Sequence, residues 1–361
     1  KAAMDSGIAK YPIQDWDKYK NELMERLGTG NKMVRILHDR AKSDPKRLVF
    51  NEADKLNVMK AAQIVYDEGI AIPILLGNEE IIRELKQEIG FDAELEIIDP
   101  KIDKERARRF VYADVYWKAN QRKGITLVEA QKIMRESNYF ASMMVNEGDA
   151  DAIITGYSRN YASSIKPLFE VIGMEKGVSR ISATNLMLTK KGPMFLSDTT
   201  INIDPNARQL AKITQLTSDV VKLFGMEPVV AMLSFSNFGA STSIEPKKIE
   251  EAVKILHKSN PNLIVDGPIQ ADFALNSDML DDKFPFSVLA GKKTNTLIFP
   301  NLDSANIAYK MMKELNGVES IGPIVLGLKK PAHILQLGAS VDEIVNMAAV
   351  AVVDAQNKAL I

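Results

Sequence analysis

Three loops in this chain gather small polar side chains of the kind that can hold a ligand: Thr155-Gly-Tyr-Ser-Arg-Asn160, Ser234-Phe-Ser-Asn-Phe-Gly-Ala-Ser241 and Pro300-Asn-Leu-Asp-Ser-Ala-Asn306. Each follows an apolar run that reads as a strand, at Ala152–Thr155, Val229–Leu233 and Leu297–Phe299. A parallel sheet presents its ligands at the carboxyl ends of its strands. The third loop also runs into a helix whose first amides could hold a phosphate. Thr155, Arg159, Ser236, Asn237, Asn301, Ser304, Asn306 and, further along that helix, Lys310 are therefore candidate ligand-binding residues. One such loop alone is an ordinary turn. Three at equivalent places point to a polar cleft, although their spacing names no ligand.

Most catalytic signatures are missing. A helix is expected over Asp15–Leu27, broken by Gly28–Asn31; Gly28-x-Gly30 lacks a third glycine and follows that helix, so it reads as a linker and not as a dinucleotide loop. Gly322 and Gly327 have the first spacing of a P-loop, but Leu328 stands where the phosphate lysine belongs. Gly338-Ala-Ser340 lacks the last glycine of a nucleophile elbow. The chain has no cysteine, which excludes disulfides, thiolate metal sites and cysteine nucleophiles. Its three histidines, His38, His257 and His333, lie far apart. His38 and His257 read as surface residues, whereas His333, in a loop before a helix, is a candidate ligand contact.

The elements that must position these groups alternate in kind. Arg47–Phe50, Ile70–Leu76, Glu94–Ile98 and Ala152–Thr155 read as strands. Helices are expected over Leu56–Glu68 and from the cap Asn78 to Ile89, with a Thr126–Glu129 capping box opening another. Beyond residue 183 a hairpin is expected around Lys191-Gly192. Helices follow over Ala207–Phe224, Pro246–Lys258 and Val341–Lys358, with strands at Val229–Phe235, Asn262–Val265, Thr296–Phe299 and Ile324–Leu326. Strands alternating with helices of this length predict βαβ units and parallel sheets covered on both faces. The 361 residues suffice for two α/β lobes with a cleft between them. A net charge of -1 gives no footprint for nucleic acid or an anionic membrane. No apolar run approaches the roughly 20 residues that span a bilayer. The chain opens on Lys1 and carries no apolar signal core, and the expectation is a cytoplasmic piece of a longer protein.

From Asp266 to Gln356 the sequence resembles phosphotransacetylase (phosphate acetyltransferase). The resemblance rests on Asp266-Gly-Pro-Ile-Gln270, Ala290-Gly291, Leu297-Ile-Phe-Pro-Asn-Leu302, Asn306-Ile-Ala-Tyr-Lys310, Ile321-Gly-Pro323, Gly327-Leu-Lys-Lys-Pro331 and Ser340-Val-Asp-Glu-Ile-Val345. Gly69–Asn78, Lys123-Gly-Ile-Thr126 and Glu227–Ser234 extend it to about residues 31–361. It implies two three-layer α/β/α lobes with largely parallel sheets, an architecture shared with isocitrate and isopropylmalate dehydrogenases. The expected division is an arm at 1–30, lobe I at 31–176 plus 323–361, and lobe II at 177–322. Ala2–Ile13 looks like the junction in large bacterial malic enzymes, where a catalytic domain passes into a phosphotransacetylase-like tail. In such proteins NADP and a divalent metal (Mg or Mn) belong to the upstream domain. The tail is associated with oligomers, a homodimer or higher, and with control by acetyl-CoA or related metabolites.

The resemblance also locates a departure. A working phosphotransacetylase carries a Ser-Arg pair after its Leu-x-Lys-Pro segment, the serine positioning the thiol and the arginine binding phosphate charge. Here Gln336 and Leu337 occupy those places, and the following family acid falls at Glu343. Two further family arginines align with Asn120 and Lys166. Arginine is a planar, permanently charged fork for phosphate that lysine does not replace at a bidentate site. Losing one transition-state donor costs about 2.7–4 kcal/mol in a well-studied case. The sequence thus predicts a regulatory, oligomerising domain that binds a CoA ester without transferring acetyl groups, using Thr155, Arg159, Lys166, Ser236, Asn237, Asn301, Ser304, Asn306, Lys310, His333, Gln336 and Glu343. An active phosphate acetyltransferase and a dimerisation module with a vestigial cleft are the alternatives.

Overall fold

The computed structural model describes residues 28–359. The helix expected at 15–27, and residues 1–27 of the expected arm, lie outside the described residues. The chain enters on helix α1, Gly28–Ser43, so the expected breaker at Gly28–Asn31 is instead a helix start. Met33, Leu37 and Ala41 recur on one buried face and set the helix. The glycines fall in its first turn, where the amides have no intrahelical partner anyway.

Five parallel strands follow: β1 (Lys46–Asn51), β2 (Ala71–Leu76), β3 (Ile97–Ile98), β4 (Ala152–Thr155) and, much later, β11 (Ala332–Ile334), in the order β11-β4-β1-β2-β3. Leu48, Val49 and Phe50 of β1 are fully buried, as a strand covered on both faces requires. One face carries α1, α2 (Leu56–Asp67) and the last helix, α13 (Val341–Lys358). The other carries α4 (Arg106–Asn120), α6 (Ser137–Glu147) and α7 (Tyr161–Val171). Helix α3 (Glu79–Glu88) starts where expected, its Asn78 cap accepting from the Ile81 amide at 3.1 Å. Helix α5 (Leu127–Ile133) opens on the Thr126–Glu129 capping box. The strand expected at Glu94–Ile98 shrinks to its last two residues, because only they pair with β2.

The second sheet has six strands in the order β10-β5-β6-β9-β7-β8. They are β5 (Ser182–Thr189), β6 (Gly192–Ser197), β7 (Val229–Leu233), β8 (Ile264–Ile269), β9 (Thr296–Ile298) and β10 (Ser320–Leu326). The β5–β6 hairpin turns at Lys190–Lys191 and pairs Thr189 with Gly192. Strand β8 runs on through Asp266-Gly267-Pro268, beyond the expected end at Val265; only glycine fits at 267, where a Cβ would stand 2.4 Å from the Met232 carbonyl. Helices α8 (Ala207–Leu223), α9 (Ile244–Ser259), α10 (Ala271–Ala274), α11 (Ser277–Lys283) and α12 (Leu302–Asn316) complete the lobe. Strand β10 pairs antiparallel with β5, so the lobe boundary expected at 322/323 falls inside a second-sheet strand, and the chain returns to the first sheet only after Leu326.

One apolar core spans both lobes. It joins Leu48 and Phe50 of the first sheet to Leu186, Phe195 and Ile324 of the second through α8 and α13. Among the described residues no helix is long and apolar enough to cross a membrane. Phe50 sits fully buried at the centre of the first sheet within this core. Phe50→Ala should destabilise the protein by about 3–5 kcal/mol in urea unfolding. A loss below about 1 kcal/mol would contradict the packing described.

Candidate functional site

The loop after β4 is fastened from inside. The Thr155 hydroxyl accepts from Asn51 Nδ2 at 2.9 Å and donates to Asn138 Oδ1 at 3.0 Å, so it is spent on the scaffold. Beyond it Glu52, buried and held at φ 66°, accepts from the Gly156 amide at 3.1 Å, the Ser158 amide at 3.3 Å and the Ser158 hydroxyl. An internal carboxylate therefore occupies the amide nest that would otherwise receive an anion. Gly156 has φ +93°, and a Cβ there would stand 2.8 Å from Ile334 Cγ2, so the loop closes tightly on β11. Arg159 lines a cavity of about 390 Å3 whose charged groups are Lys55, Lys101, Arg135 and Arg159 against Glu52, Asp54, Asp99 and Glu136. That cavity lies over the carboxyl ends of β1 to β4, where the strand order changes direction between β1 and β4.

The segment after β11 meets the same loop. The Leu335 amide donates to the Thr155 carbonyl at 2.7 Å and the Gly338 amide to the Tyr157 carbonyl at 3.1 Å. Between them, half-buried Gln336 turns toward the other lobe. Its Nε2 donates to the Tyr309 hydroxyl of α12 at 2.5 Å and to the Gly322 carbonyl of β10 at 3.3 Å. Leu337 projects into solvent, 73% exposed. One helical turn below Tyr309, Lys313 donates to Glu343 at 3.0 Å. Burial works to raise the Glu343 carboxyl, but the Ser340 amide and Lys313 outweigh it and hold the group below its ordinary value.

The other two loops are likewise organised by their own side chains. Asn301 caps α12 by accepting from the Ser304 amide at 3.0 Å, and the Ser304 hydroxyl donates back to the Asn301 carbonyl. Asn306 donates to the Thr199 carbonyl at 3.0 Å, and Lys310 is exposed. Asn237 exchanges two hydrogen bonds with Gln270, ordering the loop after β7 around buried Ser236. At the start of that loop Ser234 Oγ is buried with no hydrogen-bond partner.

Asn120 ends α4 and Lys166 lies on α7, two helices joined through Glu170. Asn120 donates to the Tyr116 carbonyl and accepts from Lys123, while exposed Lys166 lies 3.9 Å from Glu170. Tyr139 and Tyr116 donate to that same Glu170 carboxylate at 2.6 and 3.2 Å. Burial and the Glu170 charge push the Tyr116 hydroxyl up to about 12. Lys166 is thus shared with a carboxylate and Lys123 is bonded to Asn120, a poor arrangement for phosphate. His333 is in β11 and not in a loop, because Ala332–Ile334 pairs with β4; it is 1% exposed and its Nδ1 accepts from the Val325 amide at 3.3 Å. His38 is half-buried against Asn346, and His257 binds the Val265 carbonyl. Among the described residues no group of three or more acidic or histidine side chains could hold a metal ion.

Comparison with known proteins places this scaffold. Residues 32–352 match the model of the phosphate acetyl/butaryl transferase family. The chain belongs to that family. It is 35% identical over 360 residues to an NADP-dependent malic enzyme of Haemophilus influenzae, covering 99% of this chain and 48% of that protein. The chain therefore spans about half the length of that relative. It is also 35% identical over 336 residues to a phosphate acetyltransferase of Thermoanaerobacterium thermosaccharolyticum, covering 90% of this chain and 99% of that protein. A phosphotransacetylase structure from Streptococcus pyogenes superposes with a TM-score of 0.83 at 33% identity, covering 91% of this chain and 99% of that one.

Two acids of this family member escaped the sequence reading. Glu52 and Asp198 each follow a strand, β1 and β6, by the same rule that picked out the three loops. Asp198 is buried and accepts from the amides of Thr200, Ile201 and Asn202 at 2.9–3.1 Å. Burial nevertheless raises its carboxyl above the ordinary value. For Glu343 the sign is opposite. Its lowered folded value contributes stability above pH 4.5 that is lost as pH falls through it. The group is partly exposed, so the effect is below about 1 kcal/mol. Glu343→Gln should therefore flatten the loss of thermal stability between neutral and acid pH; equal acid slopes in both proteins would refute the role of the Lys313 pair.

Proposed function

We propose that this family member is the regulatory and oligomerisation domain of an NADP-dependent malic enzyme, that it binds acetyl-CoA or a related CoA ester, and that it does not transfer acetyl groups. The observation that carries the reading is the Gln336 amide bound across the lobes, beside solvent-exposed Leu337, at the positions that the family resemblance gives to a serine and an arginine. An amide bonded to Tyr309 and Gly322 neither activates a thiol nor supplies charge to phosphate. CoA binding needs neither group. Arg159, Lys55, Lys101 and Arg135 offer cations to the nucleotide phosphates within one cavity, which Glu52, Asp54, Asp99 and Glu136 also line.

NADP and a divalent metal would belong to the malate-oxidising half of such an enzyme. Among the described residues Gly28–Gly30 opens a helix instead of a strand-to-helix turn, and no group of three or more acidic or histidine side chains could hold a metal ion. The partner surface proposed for a cytoplasmic homodimer or higher oligomer is an aromatic group on the second lobe. Phe238 packs 5.0 Å from Phe284 and 4.9 Å from Phe286, with Phe286 and Phe235 69% and 63% exposed. Exposed apolar patches of this kind mark interfaces.

Likeness to a phosphate acetyltransferase over 99% of that protein favours a second reading, an active transferase. A coupled assay with acetyl phosphate and CoA separates the two. Turnover should be at least about a thousandfold below a working transferase, as expected when more than one donor is lost at some 2.7–4 kcal/mol each. Calorimetry should show saturable acetyl-CoA binding that weakens when Arg159 and Arg135 are both changed to Ala. Transferase-level turnover would end the regulatory reading, and no binding at millimolar acetyl-CoA would leave a purely structural module.

A further inference from the structure

Positive charge gathers at one place on a chain whose net charge is -1. A cavity of about 360 Å3 on the outer face of the first lobe is lined by Arg106, Arg109 and Phe110 of α4, by Lys132 of α5 and by Arg135 just beyond it. Among the described residues Asp103, in the turn before α4, is the one carboxylate on its lining. The neighbouring cavity, which shares Arg135, sets four carboxylates against its four cations. Here the excess is three positive charges.

Two of these cations are fixed in place without being neutralised. Arg109, buried, donates from Nη1 to the Pro100 and Ile102 carbonyls at 2.8 and 2.5 Å, and Arg135 Nη2 donates to the Lys101 carbonyl at 3.0 Å. Asp103 stands 4.0 Å from Arg109, with its side chain 96% exposed, so water screens most of what it offers. The other two cations are open. The Arg106 guanidinium lies over the Phe110 ring, 5.7 Å from its centroid, and among the described residues neither the Arg106 nor the Lys132 side chain has a hydrogen bond or ion pair. Like charges gathered around one cavity repel unless an anion answers them. A lone exposed lysine calls for no such partner; four cations on one cavity do.

Their spacing narrows the class of anion. They form two i,i+3 pairs, Arg106 with Arg109 and Lys132 with Arg135, each pair on one side of its helix. A single phosphate can meet one pair. A run of linked phosphates, charged at every unit, can meet both, and guanidinium forks take phosphate oxygens two at a time. We infer that this cavity binds a polyphosphate chain, either free or carried by a nucleoside triphosphate. The site stands independently of CoA binding, because Arg106, Arg109 and Lys132 lie outside the cavity assigned to the CoA phosphates.

Calorimetry on the intact chain at low salt, with inorganic tripolyphosphate, ATP and inorganic phosphate as probes, tests the site. Tripolyphosphate should saturate a single site per chain, bind roughly tenfold or more tightly than phosphate, and weaken as salt is raised. ATP binding more tightly than tripolyphosphate assigns the site to a nucleotide, and ATP affinity no higher assigns it to the free chain. Changing Arg106 and Lys132 together to Ala should weaken tripolyphosphate roughly tenfold or more. Arg159→Ala, on the neighbouring cavity, should leave it unchanged. Should the double variant not fold, Gln131→Glu, which adds a carboxylate to the lining, should weaken it severalfold. Failure of either phosphate chain to saturate, an affinity that survives both the double variant and Gln131→Glu, or an equal loss in Arg159→Ala would each overturn the site.

Discussion

The hydrogen bonds from Gln336 to Tyr309 and Gly322 join two lobes that also meet through the Lys313–Glu343 pair, the Val325–His333 hydrogen bond and their shared core. The donor comes from the loop after β11 and the acceptors from α12 and β10, so this amide ties the carboxyl-end loops of the two lobes together. The loop that carries it is itself pinned to the β4 loop by the Leu335 and Gly338 amides. A side chain that must reach a donor position this far from its backbone has to be long, and glutamine is. A serine at the same place would be too short to span and would keep its hydroxyl for a ligand.

The same logic runs through the charges. Phosphate chemistry needs guanidinium groups that stay free to bond the substrate. Here the cleft cations are committed elsewhere: Lys313 to Glu343 and Lys166 toward Glu170, while Glu52 fills the amide nest of the β4 loop. Arg159, Lys55, Lys101 and Arg135 sit instead over the strand ends of the first lobe, among the carboxylates of Glu52, Asp54, Asp99 and Glu136.

The alternation of strands and helices was legible because buried parallel strands read as short apolar runs and helices as capped periodic segments. Val341–Lys358 and the Thr126 capping box stand where the sequence put them. Short pairings were not legible. Whether Glu94–Leu95 joins β3 depends on a neighbour that no local pattern encodes. The loops were found from a strand-end rule, but the partners of their side chains were not, since Thr155 meeting Asn51 and Asn138 requires three distant segments to converge. His333 shows the limit in reverse. Following Pro331 and preceding a glycine-bearing loop, it read as a loop residue, and only pairing with β4 places it in a buried strand. Glu52 at φ 66° was invisible for the same reason, because its conformation is imposed by the amides it accepts and not by its neighbours in sequence.

Regulation by a ligand requires that the ligand favour one arrangement over another, whatever its affinity. Tyr309 and Lys313 lie one turn apart on α12 and both grip the 336–343 segment of the first lobe, one through a neutral hydrogen bond and one through an ion pair. On the proposed reading, a molecule entering between the loops would compete with the first and leave the second in place, while the shared core through α8 and α13 holds the lobes together.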